Sequence, residues 1–118
     1  MGRIQSDESV LVVVDVQERL FPHIHNHELL EKKILTLISG VQALKVPAIV
    51  TEQYKKGLGD TIPSVHHALG DYNSIEKMAF SCCGEPNFNL VLEEHFRKYV
   101  LLCGIEAHVC VLQTALDL

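Results

Sequence analysis

Three residues in this chain carry chemistry that neither a sheet nor a helix needs: Asp15, Lys77 and Cys110. Asp15 ends one apolar run, Lys77 lies in the short segment "SIEKMAF" (74–80), and Cys110 comes just after another run. Cys110 follows "YVLLCGI" (99–105) and a small-residue turn, at the first turn of a helix. Unpaired backbone N–H groups and the positive end of the helix dipole stabilise a thiolate at such a place. An ammonium such as Lys77 would lower the thiol pKa further. A carboxylate such as Asp15 could take the thiol proton and return it to a leaving group. Amides of the Gly104–Ala107 turn could face a developing oxyanion. A plainer reading stands beside this one, and spacing alone leans to it. In that reading Cys110 packs inside, Lys77 is solvated and Asp15 caps a strand.

Bringing those residues together is the task of the surrounding elements. "SVLVVVDV" (9–16) is β-branched without helical period, which predicts a strand buried on both faces. "QERLFPHIHN" reads as a loop broken by Pro22. From His27 to Lys45, Leu30, Ile34, Leu37, Ile38, Val41 and Leu44 recur at helical spacing, with Asn26 as expected N-cap. "VPAIVTEQ" (46–53) predicts a second strand. "YKKGLGDTIP" (54–63) reads as loop, with a short helix around 62–69 and a brief third strand in "SIEKMAF" (74–80). Beyond Pro86 a helix is expected to bury Phe88, Val91, Leu92 and Phe96. The run at 99–105 gives a fourth strand. The last helix is expected to turn Val109, Leu112, Ala115 and Leu116 inward. Alternating strands and helices imply βαβ units and a parallel sheet, where ligands collect beyond the strands' carboxyl ends. Asp15, Lys77 and Cys110 all fall there.

Bulk properties narrow the function. The chain has 118 residues, 47% of them hydrophobic and 21% charged, which suits one globular domain. A net charge of −5 argues against nucleic acid as a partner. No apolar run is long enough for a membrane span and no leader pattern opens the chain, so a cytoplasmic location is expected. Cys82, Cys83, Cys103 and Cys110 form no CxxC pair and suit a reduced compartment. The adjacent Cys82 and Cys83 read as a tight loop, a vicinal disulfide being the rarer alternative. "HIHNH" (23–27) places imidazoles at alternate positions, which fixes no tetrahedral geometry, so it reads as a solvated helix entrance. His66 and His67 read as surface residues. "KKGLGD" lacks P-loop order, and GxGxxG is absent.

Four blocks, "LVVVDVQERLFP", "VTEQYKKGLG", "EKMAFSCCG" and "LCGIEAHVCVLQTALDL", resemble the isochorismatase-like cysteine hydrolase family, in order and over nearly the whole chain. The resemblance implies a Rossmann-like, three-layer αβα fold with a parallel sheet. Residues 1–118 form a single domain in this reading, truncated after the fourth strand and the start of the next helix, since that helix has no C-cap. It implies an Asp15–Lys77–Cys110 triad, and a cis peptide at Ile105–Glu106 that points the Glu106 and Cys110 amides into an oxyanion hole. Phe21, Gln53, Tyr54, Phe80 and His108 are the candidate pocket residues; His108 could instead serve as base, but the resemblance gives that role to Asp15. The family's nicotinamidases carry an Asp and a His as metal ligands where this chain has Gln53 and Lys55, so neither metal nor other cofactor is expected. The family's isochorismate ether hydrolases lack the cysteine, so Cys110 points to acyl chemistry. The expectation is hydrolysis of a small amide or related acyl compound through a thioester, in a homo-oligomer without nucleic-acid or membrane partners. The alternative is a non-catalytic scaffold that binds a small ligand or a partner subunit.

Overall fold

The computed structural model describes residues 2–118. Four parallel strands form one sheet: β1 Ser9–Val14, β2 Ala48–Gln53, β3 Ser74–Lys77 and β4 Tyr99–Gly104. Their order is β3-β2-β1-β4. Helices α1 His27–Ala43, α2 Lys55–Leu58, α3 Pro63–Leu69, α4 Pro86–His95 and α5 Leu112–Asp117 connect or follow them.

The period of two along a strand sorts the core into two layers. Leu11 and Val13 of β1 pack with Ile34, Ile38 and Val41 of α1 and Val65 of α3. Val10, Val12 and Val14 turn the other way, with Ile49 of β2, Phe88 of α4 and Cys110. Every residue of β1 is buried, as a central strand covered by helices on both faces requires. The result is a three-layer α/β architecture. β4 lies at one edge and is half-buried throughout.

Local departures from the sequence expectations have identifiable causes. Asn26 is the N-cap of α1 but adopts the left-handed region (φ 54°), and its side chain makes no capping bond. Within the expected loop 54–63, Tyr54 (φ 38°) starts one helical turn, α2. Phe96 is the C-cap of α4 and left-handed (φ 51°), which swings its ring out of the apolar face and leaves it 95% exposed. Before α5 the chain makes a π-helical turn over Ala107–Val111. Its wider pitch shifts the helical phase, so Cys110 and Thr114 are buried while Leu112 and Leu116 are exposed. The inward face predicted from Val109, Leu112, Ala115 and Leu116 is thereby displaced. No backbone bond of the described residues is cis, so Ile105–Glu106 is trans, contrary to expectation. Glu106 (φ −109°, ψ 68°) makes the bend instead, and its carbonyl accepts the N–H groups of Val109 and Val111. A trans bond avoids the roughly 3–4 kcal/mol that a non-proline cis bond costs.

Candidate active site

The carboxyl ends of β1 and β3 and the π turn after β4 bring Asp15, Lys77 and Cys110 together on the α4–α5 side of the sheet. Asp15 follows β1 directly and has a left-handed backbone (φ 53°), a conformation that Asp tolerates better than most residues. Its N–H donates to the Thr51 carbonyl at 3.1 Å. The Thr51 hydroxyl donates to Asp15 Oδ1 at 2.9 Å. Carboxylate and backbone are thus both clamped by one residue of β2.

Lys77 is 1% exposed, and an ammonium buried that deeply requires partners. Its Nζ donates to Gln53 Oε1 at 2.7 Å, the Ala79 carbonyl at 2.9 Å and the Phe80 carbonyl at 2.7 Å. The chain after β3 folds back so that its own carbonyls hold the lysine. Asp15 Oδ2 lies 2.8 Å from the same nitrogen, an ion pair by distance, yet receives no directed hydrogen bond. Three protons serve the other three acceptors, so Oδ2 retains capacity to accept another. The Cys110 Sγ is 3.7 Å from Nζ.

Cys110 is buried, and its thiol is pushed up to about 12. Burial is the largest cause, followed by the adjacent Asp15 carboxylate, first as an acceptor open to the thiol and then as a charge; Lys77 pulls the other way and does not prevail. The lysine and the helix terminus alone predict the opposite direction, but burial penalises the thiolate and Asp15 repels it. The site therefore holds a thiol with an acceptor in place, and the proton must leave as the sulfur attacks.

Residues with no obvious role in the sequence complete the arrangement. Gln17 is fully buried, with Nε2 donating to the Gln53 and Gly59 carbonyls (2.8 and 2.9 Å) and Oε1 accepting from the Gln53 N–H at 2.7 Å. It grips the backbone of the residue that holds Lys77. Thr114 accepts from the Cys82 N–H at 2.8 Å, and the Cys82 sulfur lies 3.7 Å from the Thr51 hydroxyl. Burial also raises the Cys82 thiol. A polar residue two positions beyond a strand-end aspartate, and a threonine ending the aliphatic part of β2, are the available signals.

The remaining predicted positions divide. Gln53 meets Lys77 directly. Phe80 contributes its carbonyl while its ring is exposed, as are Tyr54 and His108. Phe21 is buried on the opposite, α1-side layer, edge-on to His27. Glu106 and Cys110 stand at the entrance and within the π turn. The four cysteines are free. Among the described residues no group of three metal-ligating side chains converges, and no helix is long and apolar enough to cross a membrane.

The fold agrees with the comparisons. The isochorismatase domain matches residues 9–118, and the chain belongs to that family. A secreted isochorismatase effector, Isc1, of Phytophthora sojae is 40% identical over all of this chain and 58% of its own length. Isochorismatase family protein 1A of Dictyostelium discoideum is 35% identical over 99% of this chain and 59% of its own. Among solved structures, the MAR1 ribonuclease of Caenorhabditis elegans superposes with a TM-score of 0.88 at 40% identity, over 98% of this chain and 59% of that one. The chain thus spans somewhat under three fifths of the length of these relatives.

Proposed function

We propose that the site is that of a cysteine hydrolase acting on a small amide or related acyl compound. The observation that carries this reading is one buried ammonium set between a carboxylate oxygen at 2.8 Å and a sulfur at 3.7 Å. As Cys110 Sγ attacks the acyl carbon, its proton passes to Asp15 Oδ2, and Lys77 holds the carboxylate and steadies the sulfur. The carbonyl π electrons move to oxygen. The tetrahedral oxyanion is assigned to backbone N–H groups of the turn carrying Glu106 and Cys110, whose trans Ile105–Glu106 bond does not give them the cis orientation that the resemblance implies. Collapse of that intermediate breaks the C–N bond, and the leaving nitrogen takes the proton from Asp15. Water, deprotonated by Asp15, then attacks the thioester, releasing the carboxylic acid and restoring the thiol.

Ammonia release from a panel of small primary amides tests the reading, with intact-mass detection of an acyl adduct during turnover. Activity with an adduct on the Cys110 peptide, both lost in Cys110→Ala, supports it. Turnover that survives Cys110→Ala overturns it. The description of the C. elegans neighbour as a ribonuclease adds RNA to the same panel; cleavage of RNA in place of amides would replace the acyl substrate class. The acidic balance of this chain favours the small amide. Self-association belongs to the same proposal, supported by the description of a related fold from Escherichia coli as an octameric hydrolase.

A further inference from the structure

Strand β2 serves two faces of the sheet. Thr51 and Gln53 point to the catalytic side, and between them Glu52 points to the α1–α3 side. There, between Glu52 near the carboxyl end of β2 and Ser74 at the start of β3, lies a cavity of about 400 Å³ walled also by Glu18, Lys55, Asp60, Thr61 and Tyr72. That volume falls within the usual range for small-ligand sites.

Glu52 is 2% exposed. Its Oε2 accepts from the Thr61 N–H at 2.7 Å and the Thr61 hydroxyl at 3.0 Å. Fastening Thr61 to β2 accounts for that oxygen. Oε1 is buried and has no hydrogen-bond partner among the described residues. The nearest cation, Lys55 Nζ, is 3.9 Å away, beyond hydrogen-bond distance, and is drawn instead to the exposed Asp60 at 3.2 Å. A buried carboxylate oxygen with no donor is costly. The wall carries three carboxylates against one lysine, with a tyrosine ring beside them.

We propose that this cavity binds a small organic ammonium ligand, whose cationic head donates to Glu52 Oε1 while its alkyl part lies along Tyr72. An ammonium needs only one or two carboxylates and an aromatic face, whereas a metal ion needs a converging ligand set that the described residues do not provide. The site is independent of the cysteine chemistry on the other face.

Titration of the ¹⁵N-labelled chain with butylammonium chloride, followed by amide shifts, tests this. The shifts of Thr61, Tyr72 and Ser74 are expected to saturate at millimolar ligand, while butyrate and butanol leave them unchanged. Glu52→Gln, which keeps an acceptor for Thr61, should weaken binding at least tenfold, and Asp60→Asn about threefold. Cys110→Ala should bind as the parent does. Should Glu52→Gln unfold, the exposed pair Glu18→Gln/Asp60→Asn carries the test, with about tenfold weakening expected. Shifts that never saturate, equal shifts with butanol, saturation by magnesium or calcium chloride but not by butylammonium, or parental affinity in the variant used would each overturn the proposal.

Discussion

Replacing Asp15 by Asn should make Cys110 react faster with an alkylating agent while abolishing turnover. The amide preserves shape and suits the left-handed backbone at this position. It removes the charge of Asp15, weakens the acceptor that also raises the thiol, and leaves Lys77, which lowers it. Across 3.7 Å, at an effective dielectric of about 20, a unit charge on Lys77 favours the thiolate by about 4.5 kcal/mol, roughly three decades of acidity. In the parent protein the carboxylate 2.8 Å from that ammonium cancels most of this. Deleting it should free two to three of those decades, on the order of 100- to 1,000-fold more thiolate at pH 8. A more acidic thiolate is a poorer nucleophile, with a Brønsted coefficient of about 0.4–0.5. The net gain in iodoacetamide rate is therefore about 10- to 60-fold. The assay is peptide-resolved labelling of folded protein from pH 6 to 10, with circular dichroism to exclude unfolding. Access to the buried sulfur is common to both proteins and cancels in the ratio. A Cys110 that labels no faster, or more slowly, in the variant at every pH would refute the account of how its proton is held.

Lys77→Met should cost about 3–5 kcal/mol of stability by leaving Asp15 buried without its cation; the double variant with Asp15→Asn should recover part of that loss in urea unfolding. Thr51→Val removes the donor to Asp15 Oδ1 and should cost about 1–3 kcal/mol; it should also lower kcat more than KM, as measured on any substrate the amide panel yields. Alkali should weaken the fold through two thiols, since Cys103 is raised to about 11 and Cys110 to about 12 from an ordinary value of 9.0. In that window the unfolded chain loses protons that the native state keeps. Stability is complete below pH 9 and falls above it by up to about 1.4 kcal/mol per pH unit for each thiol. Cys103→Ala should flatten the alkaline slope of urea midpoints between pH 9 and 11, relative to the parent.

The architecture was legible because its signals are local and redundant. An unbroken aliphatic run at Val10–Val14 cannot be half-solvated, and alternation with helical spacing forces parallel crossovers. That topology gathers Asp15, Lys77 and Cys110 at one end of the sheet whatever the intervening loops do. What escaped depends on terms the sequence does not display. The thiol's direction is a balance of burial and two opposed charges, set by ångström distances. The phase of the last helix turns on one π-helical turn, and the outward position of Phe96 on a single left-handed residue. Gln17 and Thr51 looked like loop and strand filler because hydrogen bonds to a distant backbone leave no pattern in composition.

Gly104 pairs with Val14 across the last rung between β4 and β1. A Cβ there would stand 2.8 Å from the Val14 carbonyl oxygen and 2.7 Å from a methyl of Val111. Val14 is the neighbour of Asp15, and Val111 the neighbour of Cys110. One added methyl would thus press on the two segments that carry Asp15 and Cys110, and on Val14 and Val111 in the apolar layer beside them. The spacing between that carboxylate and that sulfur is set here by a missing side chain, at a position that need never meet a ligand.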